Sequence, residues 1–458
     1  MRYDVVVVGA GDVGLGIAFK AVSEGLKVAL IDKGNVGGTC VNNGCVPSKT
    51  LICTADRIME IKEGTELGIR AEITDIDFSA VMERMRSTVT SGRNSIRNAI
   101  EESENLDFIN RAGYFIDERT LAVGNEKIRG KKIFIASGTR PLIPPIKGLD
   151  TIRYLTNESV LEIEKRPDSL IMIGGGYVGL EYAHFFSAFG TRVTIVERNQ
   201  RLLPFEEQEI SELLKIKMEK RIQIYLGMET DEIRQTDNGY ILRVKDTVTG
   251  DSKEISAGTV MVSAGRKSNA DLLKTVNAGI ETDKADFIKV DDYLQTNKKH
   301  IWALGDAIGR AMFTHAGDKE AEIAWYNATH RKKTRMDFGS VPHAVYTSPQ
   351  IASVGLTEEQ ARKGNEILVG RAMYSDTVMG EALVERDSFA KAIVEKGTGR
   401  ILGFHIIGPH AAMLIQEVVN AVINKNDVKS ITSCMHIFPA LSDLIPETLS
   451  NLGSPQKE

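Results

Sequence analysis

Two cysteines and a lysine are the residues whose types and spacing best suit them for chemistry. In the run Gly37-Gly-Thr-Cys-Val-Asn-Asn-Gly-Cys-Val-Pro-Ser-Lys49, Cys40 and Cys45 stand five positions apart and Lys49 follows four later. A disulfide needs its Cα atoms within about 7 Å. An undistorted helix separates residues i and i+5 by roughly 8.6 Å, from its rise and radius. The two thiols can therefore join only where the backbone departs from a regular helix, and a bridge under strain is easily reduced. Two unrelated buried cysteines, or half of a metal site, are the other readings. Metal sites usually set cysteines two to four positions apart and need two further ligands. None is grouped nearby, and no metal is expected. The chemistry that fits is thiol–disulfide exchange.

Stepping outward, the elements that position these thiols announce themselves by glycine spacing. Val5–Val8 is an apolar β-branched run suited to a buried parallel strand. Gly9-Ala-Gly11-Asp-Val-Gly14 then opens a helical stretch, Leu15–Glu24, and a second strand, Lys27–Ile31, ends in Asp32. This is the dinucleotide-binding order. The first glycine permits the turn, the second admits a pyrophosphate, the third lets helix and strand pack, and the acidic residue takes a ribose hydroxyl. The pattern repeats: strand Leu170–Ile173, Gly174-Gly-Gly176-Tyr-Val-Gly179, then strand Val193–Val196 ending in Glu197. Two units in one chain imply two nucleotide cofactors. Between them lie a helix continuing over Ser48–Ala55, with Cys53 expected as a small buried hydrophobe, and a helix over Phe78–Glu102. The latter has Val81, Met82, Met85, Ile96 and Ile100 on one face. A strand-rich stretch begins at Gly113, and strand Lys132–Ala136 breaks at Ser137-Gly138.

The Gly38-Thr39-Cys40-x-Asn-x-Gly-Cys45-x-Pro-Ser-Lys49 run resembles the active-site signature of the flavin-dependent pyridine nucleotide-disulfide oxidoreductases. That family includes dihydrolipoamide dehydrogenase, glutathione reductase and mercuric reductase, and the likeness covers nearly the whole chain. It implies an α/β fold of two Rossmann-like domains, for FAD and NAD, plus a C-terminal α+β dimerisation domain. The expected boundaries are 1–146 with 268–338 for FAD, 147–267 for NAD(P), and 339–458 for the interface. On this likeness, Gly9, Gly11, Gly14, Asp32, Gly38, Thr39, Lys49, Gly113, Ser137, Gly138, Asp306 and the backbone at His315 serve FAD. Gly174, Gly176, Tyr177, Gly179, Glu197, Arg198 and Gly265 serve NAD. Tyr177 resembles an aromatic gate over the nicotinamide, and Glu181, one turn on, pairs with Lys49 in relatives. Glu197 favours an unphosphorylated ribose and so NAD, while the adjacent Arg198 leaves NADP open. The resemblance also implies that Cys40 is the interchange thiol and Cys45 the thiolate facing the flavin.

The C-terminal segment departs from the family pattern. Relatives acting on thiols carry a histidine before a proline and an acidic residue five beyond it, the imidazole moving protons and the carboxylate orienting it. Here the segment reads His436-Ile-Phe438-Pro439-Ala-Leu-Ser-Asp443, so phenylalanine fills the base position. His436 could act as a displaced base or be structural, and Asp443 fills the acidic position. Mercury reduction is disfavoured, because the chain reads Gly-Ser-Pro-Gln-Lys-Glu where mercuric reductase has a cysteine pair, and has Ala440 where a tyrosine is expected. The nearest resemblance is to the dihydrolipoamide dehydrogenases. Electrons would pass from a dithiol, lipoyl or otherwise, through the Cys40–Cys45 pair and FAD to NAD⁺. A reductase of another disulfide, a quinone or a metal acceptor is the alternative, and a non-catalytic flavin redox sensor a further one.

The totals set limits on partners. At 458 residues the chain exceeds a single core, and 42% hydrophobic with 26% charged residues is ordinary for a globular protein. A net charge of −5 argues against nucleic acid or an anionic membrane as partner. Four cysteines do not make a secreted disulfide framework, and Met-Arg-Tyr-Asp runs directly into a strand, so a cytoplasmic protein is expected. Relatives complete each active site with the partner subunit's C-terminal segment. A homodimer is therefore expected, and association with a 2-oxoacid dehydrogenase or glycine cleavage complex is possible.

Overall fold

The computed structural model describes residues 1–454, so the Pro455–Glu458 end of the tail discussed above lies outside the described residues. Two compact units divide the chain: Met1–Thr50 with Ala80–Leu142 and Gly265–Phe338, and Leu51–Ser79 with Ile143–Ala264 and the chain from Gly339 onward.

The first unit is built on β1 (Arg2–Val8), whose Val5, Val6, Val7 and Val8 are buried on both faces. It pairs in parallel with β2 (Val28–Ile31), Val8 opposite Ile31, and with the end of a later strand, Val8 opposite Ile135. Between β1 and β2 runs α1 (Asp12–Ser23), with Leu15, Ile17, Ala18 and Ala21 turned inward. After β2 come α2 (Gly38–Asn43) and α3 (Cys45–Glu63), the second extending the expected Ser48–Ala55 in both directions. Next is α4 (Phe78–Glu101), which buries Met82, Met85 and Ile100 as the spacing predicts; Val81 and Ile96 are half-buried.

The sheet continues with β3 (Leu106–Ile109), β4 (Gly113–Asp117), β5 (Thr120–Val123) and β6 (Glu126–Ile135), in the order β3-β2-β1-β6-β5-β4. The short strand Ile301–Ala303 adds in parallel to the end of β6. The apolar, β-branched centre and polar, antiparallel flank follow from which strands have both faces covered.

The second unit contains the repeat. Strands Ser169–Ile173, Arg192–Val196, Ile222–Tyr225 and Thr259–Val262 form a parallel sheet, Ile173 lying opposite Val196. Helix α5 (Tyr177–Ala188) starts from the glycine turn and is buried almost throughout. A three-stranded antiparallel meander (228–257) packs over this sheet through Ile233, Leu242, Val244 and Ile255. The remainder is a five-stranded antiparallel sheet from His343–Val345, Ile351–Gly355, Ile401–Ile407, Phe389–Glu395 and Ile367–Met373. Its alternating inward residues share a core with Ile415, Val418 and Val422 of the helix Ala411–Ile423. Among the described residues no helix is long and apolar enough to cross a membrane.

Candidate active site

The thiol pair sits where the helical path breaks. Cys40 lies in α2, Gly44 leaves helical geometry at φ −130° and ψ −111°, and Cys45 is the first residue of α3. A Cβ at Gly44 would stand 2.8 Å from the carbonyl oxygen of Thr39, so glycine is what allows the bend. This is the departure from regular helix that the five-residue spacing requires. Both cysteines are free thiols in this structure. The Cys40 thiol hydrogen-bonds to Cys45. Cys45 Sγ also lies 3.6 Å from Thr314 Oγ1.

The pair shares its protons unequally. Donation from Cys40, helped by Thr314 and by the positive charge of Lys49 one turn along α3, brings the Cys45 pKa down to about 6. The same hydrogen bond and burial push Cys40 well above the ordinary thiol range. A thiolate at the head of a 19-residue helix is also the arrangement its dipole favours.

Around the first glycine turn, Asp32 caps backbone on both sides. Its Oδ2 accepts from Ala10 N at 2.6 Å and its Oδ1 from Gly34 N at 2.7 Å. A Cβ on Gly14 would fall 1.9 Å from the Gly9 carbonyl oxygen, so the third glycine is needed for helix α1 to seat. Gly11 and Gly38 approach so closely that a Cβ on Gly38 would be 2.6 Å from Gly11 Cα. Among the described residues no side chain caps the N-terminus of α1, which leaves its amides for an anion. Among the described residues Ser137 Oγ is buried without a hydrogen-bond partner, and Gly138 beside it has open space where a Cβ would go. Gly113 starts β4 against Ile31, next to Asp32.

On the same unit, Thr139 Oγ1 donates to Asp306 Oδ2 at 2.8 Å and accepts from Arg266 Nε at 2.8 Å. Arg266 reaches Thr39 Oγ1 at 3.5 Å. Glu320 of helix Thr314–Thr329, 1% exposed, accepts from Gly305 N at 2.6 Å. Burial, with the Asp306 charge behind it, pushes Glu320 up to about 7 against the pull of that amide. His315 is exposed and stacked on Phe313 at 5.6 Å. Motif reasoning gave Thr139, Arg266, Thr314 and Glu320 no role, since only the fold brings their side chains to these partners. An uncapped helix, an orphaned hydroxyl and a tight glycine contact suit a flavin dinucleotide.

The second glycine turn copies the first. Glu197 Oε2 accepts from Gly175 N at 2.6 Å, as Asp32 does from Ala10, and its Oε1 accepts from Asn199 N and Nδ2. A Cβ on Gly179 would meet the Gly174 carbonyl oxygen at 2.2 Å, whereas one on Gly176 would meet nothing within 4 Å. Arg198 is exposed. Gly265, at φ +121°, accepts from Leu142 N through its carbonyl. Tyr177 and Glu181 share one face of α5. Tyr177 lies against Phe205 and His343, while Glu181 is buried and accepts from Tyr346 N at 3.2 Å.

In the C-terminal segment His436 and Asp443 have separate partners. His436 Nε2 lies 3.0 Å from Glu417 Oε1, and Asp443 instead caps its own turn through Ala440 N at 3.1 Å. The carboxyl beside His436 thus comes from the helix Ala411–Ile423, while Asp443 ends a 3₁₀ turn and reaches back to that turn's own first amide. Met435, Ile437 and Phe438 stand at 100%, 81% and 73% exposure. Among the described residues no group of three or more histidine, cysteine or acidic side chains could hold a metal ion.

Two dinucleotide folds, each with an acidic residue at the end of its second strand, and a polarised thiol pair define a flavin- and nicotinamide-dependent oxidoreductase. The chain matches the pyridine nucleotide-disulphide oxidoreductase family over residues 3–321 and that family's dimerisation domain over 341–449. It is 33% identical to a mercuric reductase of Lysinibacillus sphaericus, over 96% of this chain and 81% of the relative. It is 31% identical to a dihydrolipoyl dehydrogenase of Bacillus subtilis, over 97% of each chain. Among solved structures, the HOCl-induced flavoprotein disulfide reductase RclA from Escherichia coli superposes with a TM-score of 0.87 at 28% identity, covering 98% of this chain and 99% of that one. The protein belongs to the pyridine nucleotide-disulfide oxidoreductase family, whose members use FAD and NAD(H). Its C-terminal domain is of the dimerising kind.

Proposed function

We propose that this protein is an NAD-linked flavoprotein that exchanges electrons with a dithiol or disulfide substrate at Cys40 and Cys45, with dihydrolipoamide as its substrate. The observation that carries this is the polarised thiol pair, in which one sulfur is held as a thiolate by the other. On this reading the 1–146 and 268–338 segments hold FAD through Gly9, Gly11, Gly14, Asp32, Ser137 and Asp306. The 147–267 segment holds NAD(H) through Gly174, Gly176, Gly179 and Glu197, and residues from 339 form the interface. FAD, when bound, supplies two-electron relay between the nicotinamide and the thiols.

The chain's own residues supply the rest. A substrate dithiol attacks the oxidised pair at Cys40, breaking the sulfur–sulfur bond, forming a mixed disulfide and releasing Cys45 as the thiolate its surroundings favour. The second substrate sulfur then attacks the first. The substrate leaves as a disulfide, and Cys40 receives the electron pair and a proton. The two protons of the dithiol need a carrier, and His436, aligned by Glu417, is assigned that task.

A second reading is favoured by Phe438. A side chain that cannot carry a proton stands where thiol-specific relatives place their base, which suits an acceptor needing no thiol base, such as a quinone. Steady-state assays of lipoamide, other disulfides and quinones with NADH and NADPH separate the two. Lipoamide with NADH should turn over well in the native protein, and Phe438→His should change that rate by less than ~10-fold. A rise of ~100-fold or more, the usual worth of a general base, together with efficient native quinone turnover, would establish the second reading.

A further inference from the structure

The second glycine turn is flanked by a pair that no motif contains. Glu206 is 1% exposed, and its two oxygens are both engaged: Oε1 with His343 Nε2 at 2.6 Å, and Oε2 with Ser353 Oγ at 2.7 Å. Burial alone would raise its pKa, but the hydrogen bonds from His343 and Ser353 outweigh that and hold it below the usual range. Glu206 is therefore a fixed buried anion.

Two neighbours of the Tyr177 ring hang from it. Phe205, its neighbour in sequence, lies 5.1 Å from the Tyr177 ring centre at 50°. His343, its hydrogen-bond partner, lies 6.1 Å away at 59°. These are tilted aromatic contacts at distances where such pairs attract. Burial, and after it the Glu206 charge, raises the Tyr177 hydroxyl far above its ordinary range. The phenol thus sits within the field of the same carboxylate.

We propose that Glu206 and His343 form a clamp that sets how readily Tyr177 moves aside, making them positioning residues for entry of the nicotinamide. This rests on the reading of Tyr177 as the ring covering the nicotinamide site. A nicotinamide must displace the ring and forfeit its contacts with Phe205 and His343, so the clamp subtracts from dinucleotide affinity. ADP-ribose has the same adenine, riboses and pyrophosphate but no nicotinamide, and it escapes that cost.

The test is calorimetric titration of NAD⁺ and of ADP-ribose into the oxidised holoenzyme. His343→Ala should tighten NAD⁺ binding by ~3- to 10-fold, the range one aromatic pair supplies, and leave ADP-ribose within twofold. Phe205→Leu, which spares Glu206 its partner, should shift the same ratio in the same direction, and it carries the test should His343→Ala fail to fold. An unchanged ratio of the two affinities, or both ligands moving together, overturns the clamp. Tyr177→Ala separates the two levels. If it leaves the ratio unchanged, the covering role of Tyr177 is itself wrong. If it moves the ratio while His343→Ala and Phe205→Leu do not, only the clamp is wrong.

Discussion

Cys45 shows how one residue's chemistry depends on the next atom. Its thiolate is supported first by the Cys40 S–H, then by Thr314 and Lys49. Cys40→Ala removes the main donor, so the Cys45 pKa should climb from about 6 by ~1 pH unit or more. Thiolate absorbance of the reduced enzyme against pH reads this directly, and a value that stays put refutes the assignment. Lys49→Met should raise it less. Glu320 runs the other way. Unfolded, it loses its proton near 4.5, and folded near 7, so the folded state binds the extra proton between these values. Stability is then greatest at the acid end, falls as pH rises through that window, and stays reduced above it. Glu320→Gln keeps an acceptor for Gly305 N and removes the penalty. The variant's melting temperature should exceed the native protein's by ~3 °C or more at pH 8, the gap closing toward pH 5. An equal gap at both pH values would exclude this account.

At the scale of elements, the glycine turns separate packing from binding. Gly14 and Gly179 press on backbone oxygens, whereas Gly176 faces open space. Gly14→Ala should therefore cost ~3 kcal/mol or more, because backbone must shift to admit the methyl. Gly176→Ala should stay within ~0.5 kcal/mol of native stability in denaturant melts while weakening NAD⁺ by ~10-fold or more, since its methyl occupies the approach of the pyrophosphate. Equal effects on folding would contradict the division of labour. Elements also carry links that no spacing reveals. His184 of α5, fully buried, accepts at Nδ1 from Arg221 and faces Asp56 of α3 through Nε2 at 2.8 Å. An arginine can only donate, so the imidazole is the Nε2–H tautomer. Burial lowers its pKa and keeps it neutral between the two charges.

For the molecule as a whole, the run Met435-His-Ile-Phe438 presents three large apolar side chains to solvent in a single chain. Patches of this kind are kept for partners, and the match to a dimerisation domain makes a second copy the partner to test for it. Ile437→Asp and Phe438→Asp, each burying a charge on association, should raise the dimer dissociation constant by ~30-fold or more. Sedimentation across micromolar dilutions would show it, and an undisturbed dimer would place the interface elsewhere.

The glycine spacing, the acidic strand ends and the cysteine run determined, from sequence alone, two nucleotide folds and a redox pair. Those features are local: a turn, a helix start and a strand lie within about 30 residues, and backbone geometry leaves few residue types able to form them. Glu417 in place of Asp443 beside His436, Glu320 under Gly305, and the Glu206–His343 pair flanking Tyr177 were decided only by tertiary structure. Each joins positions 15 to 137 residues apart, and a carboxylate takes whichever partner the packing delivers. No period or spacing in the chain encodes that choice.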